Sequence, residues 1–490
     1  MRCSQLTLFY LQFDDLPFDN LQLDMLEQFI KNRIIANLSF TPNEGQNELL
    51  DKLSQFVVSP AKRKAFILLG YAGTGKTSIT AALVKAYQEL QQKIVLLAPT
   101  GRAAKVISRY AHTPAYTIHK YIYRQKQLGE EVFTLNDNLH KSTLFVVDEA
   151  SMISGQRDNM TFGSGIVLDD LVKYVYSGEG CSLLLLGDDA QLPPVGSSVS
   201  PALQEDYMQK YGLEVSCSVL TEVARQALDS GILANASSVR PVALGETSLP
   251  DSTWDILKEA ADCEYITGSE VAEKLEHSYN EVGAEEVMLL TRTNKRTNIY
   301  NQGIRARILW REEEIETGDR LMVSKNNYFW TEKYEGLPFL ANGDILEISR
   351  LRNIREIYGF RFADAQLRSV DYDWEIDAVV WLDTLYSDSP EVNHGLHRTL
   401  FERIAEDYPE LAHSRKKLVE TIYQSPYYNA LQMRFAYAVT GHKSQGGQWK
   451  HVYVDAYKGG ELCETEEGYY RWLYTAITRA SEKIYFIKNK

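Results

Sequence analysis

The sequence is poor in cysteine and has no long apolar run. Its five cysteines are scattered along the chain at Cys3, Cys181, Cys217, Cys263 and Cys463. They lack the short paired spacing of a zinc site or of a disulfide framework. No stretch reaches the ~20 consecutive apolar residues that a membrane-spanning helix needs, and no basic segment followed by an apolar one opens the chain. These absences favour a soluble, cytoplasmic protein.

The sequence also lacks an excess of positive charge. It has 52 lysines and arginines against 66 aspartates and glutamates, which gives a formal net charge of −14. This balance counts against a nucleic-acid partner, but a locally basic groove stays open because binding depends on where the charges lie. With 490 residues and 44% hydrophobic content, the chain is long enough for two large domains with smaller insertions.

The most informative motif is a phosphate-binding loop. Residues 70–77 read GYAGTGKT and follow the apolar segment 65–69, in the order strand, loop and helix that this motif requires. Backbone N–H groups of such a loop surround phosphate oxygens, and the next helix directs its positive end at them. We predict that the loop binds ATP, with Lys76 reaching the β and γ phosphates and Thr77 holding Mg²⁺. The phosphate-binding residues are Gly73, Thr74, Gly75, Lys76 and Thr77.

Two adjacent carboxylates complete the predicted catalytic site. The apolar strand Leu144–Val147 ends in Asp148 and Glu149. Asp148 is predicted to bind Mg²⁺, and Glu149 to activate the water that attacks the γ-phosphate. Hydrolysis of ATP is therefore the predicted reaction, rather than phosphoryl transfer to another substrate.

Two glutamines are further candidates. Gln46, four residues after Pro42, has two interpretations, since its amide can cap a helix or read both hydrogen-bonding edges of adenine. Gln191 follows the apolar strand 183–186 in the segment GDDAQLPPVG. A polar side chain at such a strand tip is predicted to contact the γ-phosphate and to report its loss.

The second half of the chain indicates another motor-type domain without a phosphate loop. Apolar strands at 287–290 and 435–439 lead into the polar segments TRTN and TGHKSQG. Residues 318–348 are β-rich, with turn signals between strands. The charged, helical segment 388–417 is expected to return the chain from this β-rich region to the motor.

Ten sequence features occur in a fixed order: Gln46, GYAGTGKT, APTGRAAK, TIH, DEAS, GDDAQLPPVG, LTEVARQ, TRTN, VTGHKSQG and YTAITRA. In this set the chain resembles superfamily one DNA helicases of the RecD-like and Dda-like branch, from about Phe40 to the C-terminus. The Leu-Pro-Pro-Val after Gln191 departs from the UvrD-like branch. The resemblance therefore implies translocation from 5′ to 3′ on single-stranded DNA.

The resemblance implies an α/β fold of two tandem RecA-like P-loop domains, with a small hairpin insertion in the first and a small β-barrel insertion in the second. The predicted boundaries are a helical extension at 1–39, a first domain at 40–235 with its hairpin at about 121–141, and a second domain at 236–490 with its barrel at about 318–430.

Further site residues are implied by the same resemblance. Arg225 in LTEVARQ and Arg479 in YTAITRA would stabilise charge on the transferring phosphoryl group, and Gly446 would contact the nucleotide. Short polar groups suited to phosphate and sugar contacts would form the nucleic-acid path. These are Pro99, Thr100, Thr117, His119, Asn294, Thr440, His442 and Ser444.

Three functions remain open from the sequence. The favoured one is an ATP-dependent DNA helicase or translocase acting on single-stranded DNA and DNA forks, with replication or recombination proteins as further partners. An RNA-remodelling ATPase is a related alternative. A nucleotide-switched DNA-binding subunit of a larger recombination or replication complex is the third.

Overall fold

The computed structural model describes residues 20–125, 133–157, 162–222, 230–334, 337, 339–387, 390–411, 413–458 and 465–488. The chain divides into two compact units, and the second begins its main segment at Ser230. Among the described helices, none has the length and apolar character needed to cross a membrane.

The first unit is built on a six-stranded sheet in the order β3-β2-β6-β7-β1-β8, with parallel pairing throughout. Strands β6 and β7 are buried along their whole length, as expected for parallel strands covered on both faces. The elements are α1 (Asn20–Ala36), α2 (Glu44–Val58), β1 (Lys64–Gly70), α3 (Lys76–Glu89), β2 (Lys93–Ala98), α4 (Gly101–Ala111), β3 (Ala115–Thr117), α5 (Ile118–Ile122), β4 (Tyr123–Gln125), β5 (Phe133–Leu135), β6 (Thr143–Val147), α6 (Val167–Ser177), β7 (Ser182–Gly187), α7 (Glu205–Gln209) and β8 (Glu214–Leu220).

The N-terminal helix α1 packs into the core of this unit. Ile30 and Ile34 are buried in one apolar cluster with Leu49 and Leu50 of α2 and Leu83 of α3. The helix predicted from the sequence is therefore joined to the sheet domain through its apolar face.

The hairpin predicted at about 121–141 is present as the two-stranded sheet of β4 and β5. The segment between the two strands, 126–132, lies outside the described residues.

The second unit contains a five-stranded parallel sheet in the order β16-β10-β17-β18-β9, and a closed barrel formed by β11 to β15. The predicted fold class is confirmed: two parallel α/β sheets, a hairpin in the first half and a barrel in the second. The elements are α8 (Gly231–Ala243), β9 (Cys263–Thr267), α9 (Val271–Val282), β10 (Val287–Thr291), α10 (Asn294–Arg307), β11 (Arg320–Val323), β12 (Ile345–Ile357), β13 (Phe360–Ser369), β14 (Glu375–Trp381), α11 (Pro390–Ala405), α12 (Arg415–Tyr423), β15 (Leu431–Phe435), β16 (Ala438–Thr440), α13 (Gly441–Ser444), β17 (Trp449–Asp455), α14 (Glu466–Ile477) and β18 (Ala480–Lys488).

The helices α11 and α12 lie between two barrel strands. The sequence interpretation that residues 388–417 return the chain to the motor is wrong, because the chain next enters β15, which pairs with β14 and β11. Leu400 and Ile422 of the helices pack with Phe362 and Trp381 of the barrel. Burial of these apolar side chains holds the helices against the barrel.

A buried ionic cluster anchors the entry to the barrel. The fully buried Asp319 carboxylate accepts two hydrogen bonds from Arg305, with Nε to Oδ1 at 3.0 Å and Nη2 to Oδ2 at 2.9 Å. It also accepts from Arg311 and from the Tyr437 hydroxyl. Because removing one partner leaves a buried charge uncompensated, such a cluster holds α10 and both barrel connections in one arrangement.

Candidate functional site

Three neighbouring strands of the first sheet carry the predicted nucleotide residues at their carboxyl ends. β7 lies between β6 and β1. The phosphate loop follows β1, Gln191 follows β7, and Asp148 with Glu149 follows β6. Ligands of open parallel α/β sheets bind at this edge. The topology therefore brings together the parts of the predicted ATP site that lie in the first unit.

The phosphate loop has the backbone geometry that its glycines permit. Gly73 has φ 75° and Gly75, which caps α3, has φ 90°, a region that residues with a Cβ rarely occupy. A Cβ placed on Gly70 would lie 2.9 Å from Thr74 Oγ1. Larger residues at these positions would force the loop away from the phosphates that it is predicted to hold.

Lys76 and Thr77 form the first turn of α3. The Lys76 ammonium donates hydrogen bonds to the backbone oxygens of Gly70 and Tyr71, the latter at 3.0 Å. These carbonyls hold the cation over the loop, where a phosphate oxygen can replace them as acceptors. The Thr77 side chain is half-buried at the same helix end.

Gln46 is buried, with 2% of its surface exposed. Its Oε1 accepts from the Asn43 N–H at 3.0 Å and its Nε2 donates to the Thr74 carbonyl at 3.0 Å. The capping interpretation is therefore observed, as a reciprocal capping box with Asn43. The second bond ties α2 to the phosphate loop, and recognition of adenine stays a prediction.

Glu149 stands in a left-handed backbone conformation, with φ 52° and ψ 38°. Its N–H donates to Asp148 Oδ1 at 2.9 Å. A residue with a side chain costs free energy in this region of the backbone map, and such conformations cluster at functional sites. The turn sets both carboxylates at the carboxyl end of β6.

The residues present suit a magnesium ion held together with a nucleotide. Mg²⁺ is usually bound by one or two protein oxygens and by substrate phosphates, not by an all-protein cage. The Thr77 hydroxyl and the Asp148 carboxylate are oxygen ligands of this kind. No cluster of three or more His, Cys, Asp or Glu side chains that could hold a metal is found among the described residues.

Gln191 is 7% exposed, and its backbone N–H donates to the Asp188 carbonyl at 3.3 Å. This turn fixes the residue just beyond β7. The location agrees with a side chain placed to contact a phosphate.

In the second unit, Arg479 is 3% exposed at the end of α14. Its Nε donates to the Thr475 carbonyl at 3.1 Å, its Nη1 to the Gly447 carbonyl at 3.4 Å and its Nη2 to the Thr478 hydroxyl at 3.2 Å. The guanidinium is thus held beside the turn that contains Gly446, which has φ 74°. The second predicted arginine, Arg225, lies outside the described residues.

The nucleic-acid candidates of the first half follow β2 and β3. Pro99 and Thr100 come after β2, whose last residue pairs with Thr117 of β3. Thr117 is 3% exposed and caps α5 by accepting from the Lys120 N–H at 3.2 Å. Its hydroxyl therefore serves the fold, and its role in binding stays a prediction.

The His119 ring packs against two aromatic rings, those of Phe162 at 5.0 Å and Tyr123 at 5.8 Å between centroids. These contacts orient the imidazole by packing and leave it half-buried. A packed, half-buried ring is compatible with a purely structural role for His119 and with a contact to nucleic acid.

The candidates of the second half follow β10 and β16. Thr291 pairs with Thr440, so that Asn294 at the start of α10 and Thr440 before α13 lie at the same sheet edge. His442 is half-buried in α13. Ser444 is fully buried, and its hydroxyl donates to the Gly441 carbonyl at 2.7 Å. That hydroxyl is engaged within its own helix.

Asn301 has an organising role that the motifs did not single out. Its Nδ2 donates to the carbonyls of Phe435 and Ala438, and its Oδ1 accepts from the N–H groups of Tyr437 and Ala438. The amide thereby fixes the chain where it leaves the barrel and enters β16. A sequence signal for it is its spacing of three residues from Asn298, which places both on one face of a helix.

Two family models match the chain. An AAA domain model matches residues 41–241, and a UvrD-like helicase C-terminal domain model matches residues 435–487. The first match contains the phosphate loop and the second contains the segments around Gly446 and Arg479.

Curated relatives are similar to large parts of the chain. An uncharacterized protein of Methanocaldococcus jannaschii is 25% identical over 96% of this chain and 40% of its own length. The ATP-dependent RecD2 DNA helicase of Deinococcus radiodurans is 30% identical over 32% of this chain and 19% of its own length. The ATP-dependent DNA helicase Dda of phage T4 is 25% identical over 59% of this chain and 63% of its own length.

This chain therefore spans less than two thirds of the length of each of these three relatives. A solved structure of a Pif1 helicase, studied for DNA unwinding at forked duplexes, covers 91% of this chain at 14% identity with a TM-score of 0.48.

Proposed function

We propose, from the confirmed resemblance of this chain to superfamily one helicases of the RecD-like and Dda-like branch, that it is an ATP-dependent DNA helicase. In this proposal hydrolysis of ATP drives movement from 5′ to 3′ along single-stranded DNA and opens the duplex ahead. Support comes from the two family models and from two of the relatives, RecD2 and Dda, which are named as ATP-dependent DNA helicases.

One observation carries the proposal above all. The phosphate loop, Gln191 and the pair Asp148 and Glu149 end three adjacent parallel strands of one sheet. A binding loop alone would suit any nucleotide-binding protein. The added carboxylate pair and the buried glutamine supply the groups that hydrolysis of a γ-phosphate needs.

The residues then have distinct roles in the proposed reaction. The loop N–H groups and Lys76 hold the phosphates, and Glu149 takes a proton from the attacking water. A magnesium ion held by Thr77 and Asp148 would neutralise charge on the phosphates. Arg479, with Arg225, stabilises the charge that develops on the transferring phosphoryl group.

Support for the direction of movement comes from the segment GDDAQLPPVG, which is similar to the RecD-like branch. Support for the DNA partner comes from the names of RecD2 and Dda. The proposal of replication and recombination proteins as partners rests on the resemblance to RecD-like and Dda-like helicases alone.

The experiment is ATP-dependent unwinding of three matched duplexes, with a 5′ DNA tail, a 3′ DNA tail or no tail. The Lys76→Ala variant serves as the blank, because loss of the ammonium should abolish hydrolysis and leave strand binding largely intact. Unwinding of the 5′-tailed duplex alone would support both the activity and its direction.

Other outcomes separate the alternatives. Unwinding only from a 3′ tail would overturn the direction. ATPase activity stimulated by single-stranded DNA without unwinding of any duplex would favour a translocase or a partner-dependent subunit. Stimulation by RNA and not by DNA would favour the RNA-remodelling ATPase.

A further inference from the structure

We infer that Tyr116 is a base-stacking residue for single-stranded nucleic acid on the first unit. The inference rests on the proposed function and adds a specific contact to it. Tyr116 is the middle residue of β3, directly before Thr117 and three residues before His119.

The sequence around Tyr116 carries a positive charge, whereas the chain as a whole carries a negative one. Between Glu89 and Glu130 there is no aspartate or glutamate, whereas seven lysines and arginines occur. In a chain with a net charge of −14, such a segment supplies positive charge that offsets the repulsion of phosphates. Lys105 and Arg109 are exposed on α4 within it.

The Tyr116 ring has one supported side and remains accessible. Its centroid lies 5.3 Å from that of Tyr121, at an interplanar angle of 40°, while 47% of the residue is exposed. A ring steadied in this way loses little conformational entropy when a base stacks on it, so that more of the stacking energy appears as affinity.

Tyr121 is itself fixed by the core. Its hydroxyl is 2.8 Å from His140 Nε2, and its ring meets Phe145 and Tyr174 edge to face. Burial raises the pKa of the Tyr121 hydroxyl far above its usual range, so the residue stays neutral. The support under Tyr116 is therefore rigid and uncharged.

The position of Tyr116 also fits a path along the strand ends. Tyr116 pairs with Leu97 of β2. The next pair, Ala98 and Thr117, ends the two strands. The side chains of successive strand residues point to opposite sides. Thr117 is consequently turned inwards as a cap, while Tyr116 is left at the surface.

Tyr110 provides a matched control. It lies in the same acid-free segment, at the end of α4, and is 51% exposed. Among the described residues no ring contact is recorded for it. It offers a similar aromatic area and charge environment without a supported ring.

The test compares Tyr116→Ala, Tyr116→Phe, Tyr116→Leu and Tyr110→Ala for binding to an oligothymidylate and to a strand of equal length whose sugars carry no bases. Stacking contributes about 1–3 kcal/mol per base, which is roughly 5- to 150-fold in affinity. Tyr116→Ala and Tyr116→Leu should lose this factor on the oligothymidylate alone. Tyr116→Phe and Tyr110→Ala should bind as the unsubstituted protein does.

Equal losses on both strands would overturn the inference, because they would show a contact to phosphate or a change of fold. Unchanged binding of both Tyr116→Ala and Tyr116→Leu would also overturn it. Tyr116→Leu keeps an apolar side chain against Tyr121, so the test holds even where the alanine variant folds poorly.

Failure of the inference is distinguishable from failure of the proposed function. If the unsubstituted protein binds and unwinds tailed DNA while the Tyr116 variants bind normally, the result overturns the stacking role of Tyr116 and leaves the proposed function standing. If the unsubstituted protein binds neither strand, the proposed function falls with it.

Discussion

The guanidinium of Arg479 donates to the backbone oxygens of Thr475 and Gly447, which fix its orientation. Arg479→Ala should lower the maximal ATPase rate by roughly a thousandfold, because an arginine of this kind acts on transition-state charge. Nucleotide affinity should change far less. Steady-state kinetics at saturating single-stranded DNA measures the maximal ATPase rate. A separate equilibrium binding experiment measures the nucleotide affinity.

Arg479→Lys is the matched variant, since it keeps the charge but not the planar fork of donors. A rise in KM at an unchanged maximal rate would remove Arg479 from the transition-state role. Thermal unfolding of both variants shows whether the lost bonds to Gly447 and Thr475 disturb the fold.

Gln46 has one observed role, in the capping box and the contact to Thr74, and one predicted role, the recognition of adenine. Gln46→Ala should reduce the preference for ATP over GTP if the amide reads adenine, and should also destabilise the first unit. The variant loses the bond from the Asn43 N–H, which is one half of the capping box, and the bond to the Thr74 carbonyl, and each loss should cost about 0.5–1.5 kcal/mol. Competition between ATP and GTP together with urea unfolding measures the two effects.

Asn43→Ala removes the cap without touching the contact between Gln46 and Thr74, and should therefore lower stability while leaving base preference intact. Unchanged preference in Gln46→Ala would return Gln46 to a purely structural role.

At the residue scale the sequence predicted the candidate catalytic groups that belong to short local motifs. Lys76, Asp148 and Glu149 are recognisable because a loop or a strand end dictates them locally. It could not show that the hydroxyls of Thr117 and Ser444 are buried and already bonded, because burial is decided by neighbours far away in the chain.

The helices α11 and α12 carry a pH-sensitive element. The His397 ring lies 4.3 Å from that of Tyr428, and burial, with a contribution from Lys325, lowers the pKa of His397 from 6.5 to about 4. The folded state therefore disfavours protonation, and the unfolded chain binds the proton more readily. Stability is fully present above pH about 6.5 and is lost as the pH falls towards 4.

The expected loss over the full shift is roughly 3 kcal/mol, from 1.36 kcal/mol for each pKa unit. Urea unfolding of the full chain between pH 7 and 4.5, followed by hydrogen exchange of α11, measures it. His397→Phe should flatten the part of the pH dependence that belongs to these helices. An equally steep dependence in that variant would show that other histidines, such as His451, account for it.

At the element scale the sequence predicted a barrel but not its path. Turn signals located strands near Gly318 and Asn342, since turn chemistry is local. The return of the chain through β15 depends on Leu400 and Ile422 meeting Trp381, a contact between residues distant in sequence. Alternation and propensity do not encode such a contact.

The charge of the whole molecule and the proposed ligand have the same sign. Binding of single-stranded DNA should nevertheless weaken steeply with salt, because local lysines and arginines release counterions from the strand. Raising salt from about 50 to 200 mM should reduce affinity at least tenfold if several phosphates are contacted. Fluorescence anisotropy of a labelled strand measures this, with Lys76→Ala as a variant expected to show the same slope.

Salt-insensitive binding would contradict a path built from phosphate contacts. A slope that differed strongly in Lys76→Ala would mean that Lys76 itself touches the strand.

Over the whole second unit, the barrel and the sheet share one core. Leu321 and Leu346 of the barrel belong to the same buried cluster as Leu289 and Tyr453 of the sheet. The sequence described the barrel as an insertion, which is correct for the order of the chain. It could not show that the two parts bury a common apolar surface and so should unfold together.

The left-handed turn at Glu149 has a consequence for how the sequence can evolve. Glycine would occupy that backbone conformation without strain, so the backbone favours replacing the glutamate, and the proposed role of Glu149 in ATP hydrolysis opposes the change. In a lineage that no longer needed turnover, position 149 should drift early towards glycine or asparagine. If Glu149 has the proposed role, a glutamate kept there over many generations records continued selection for ATP hydrolysis.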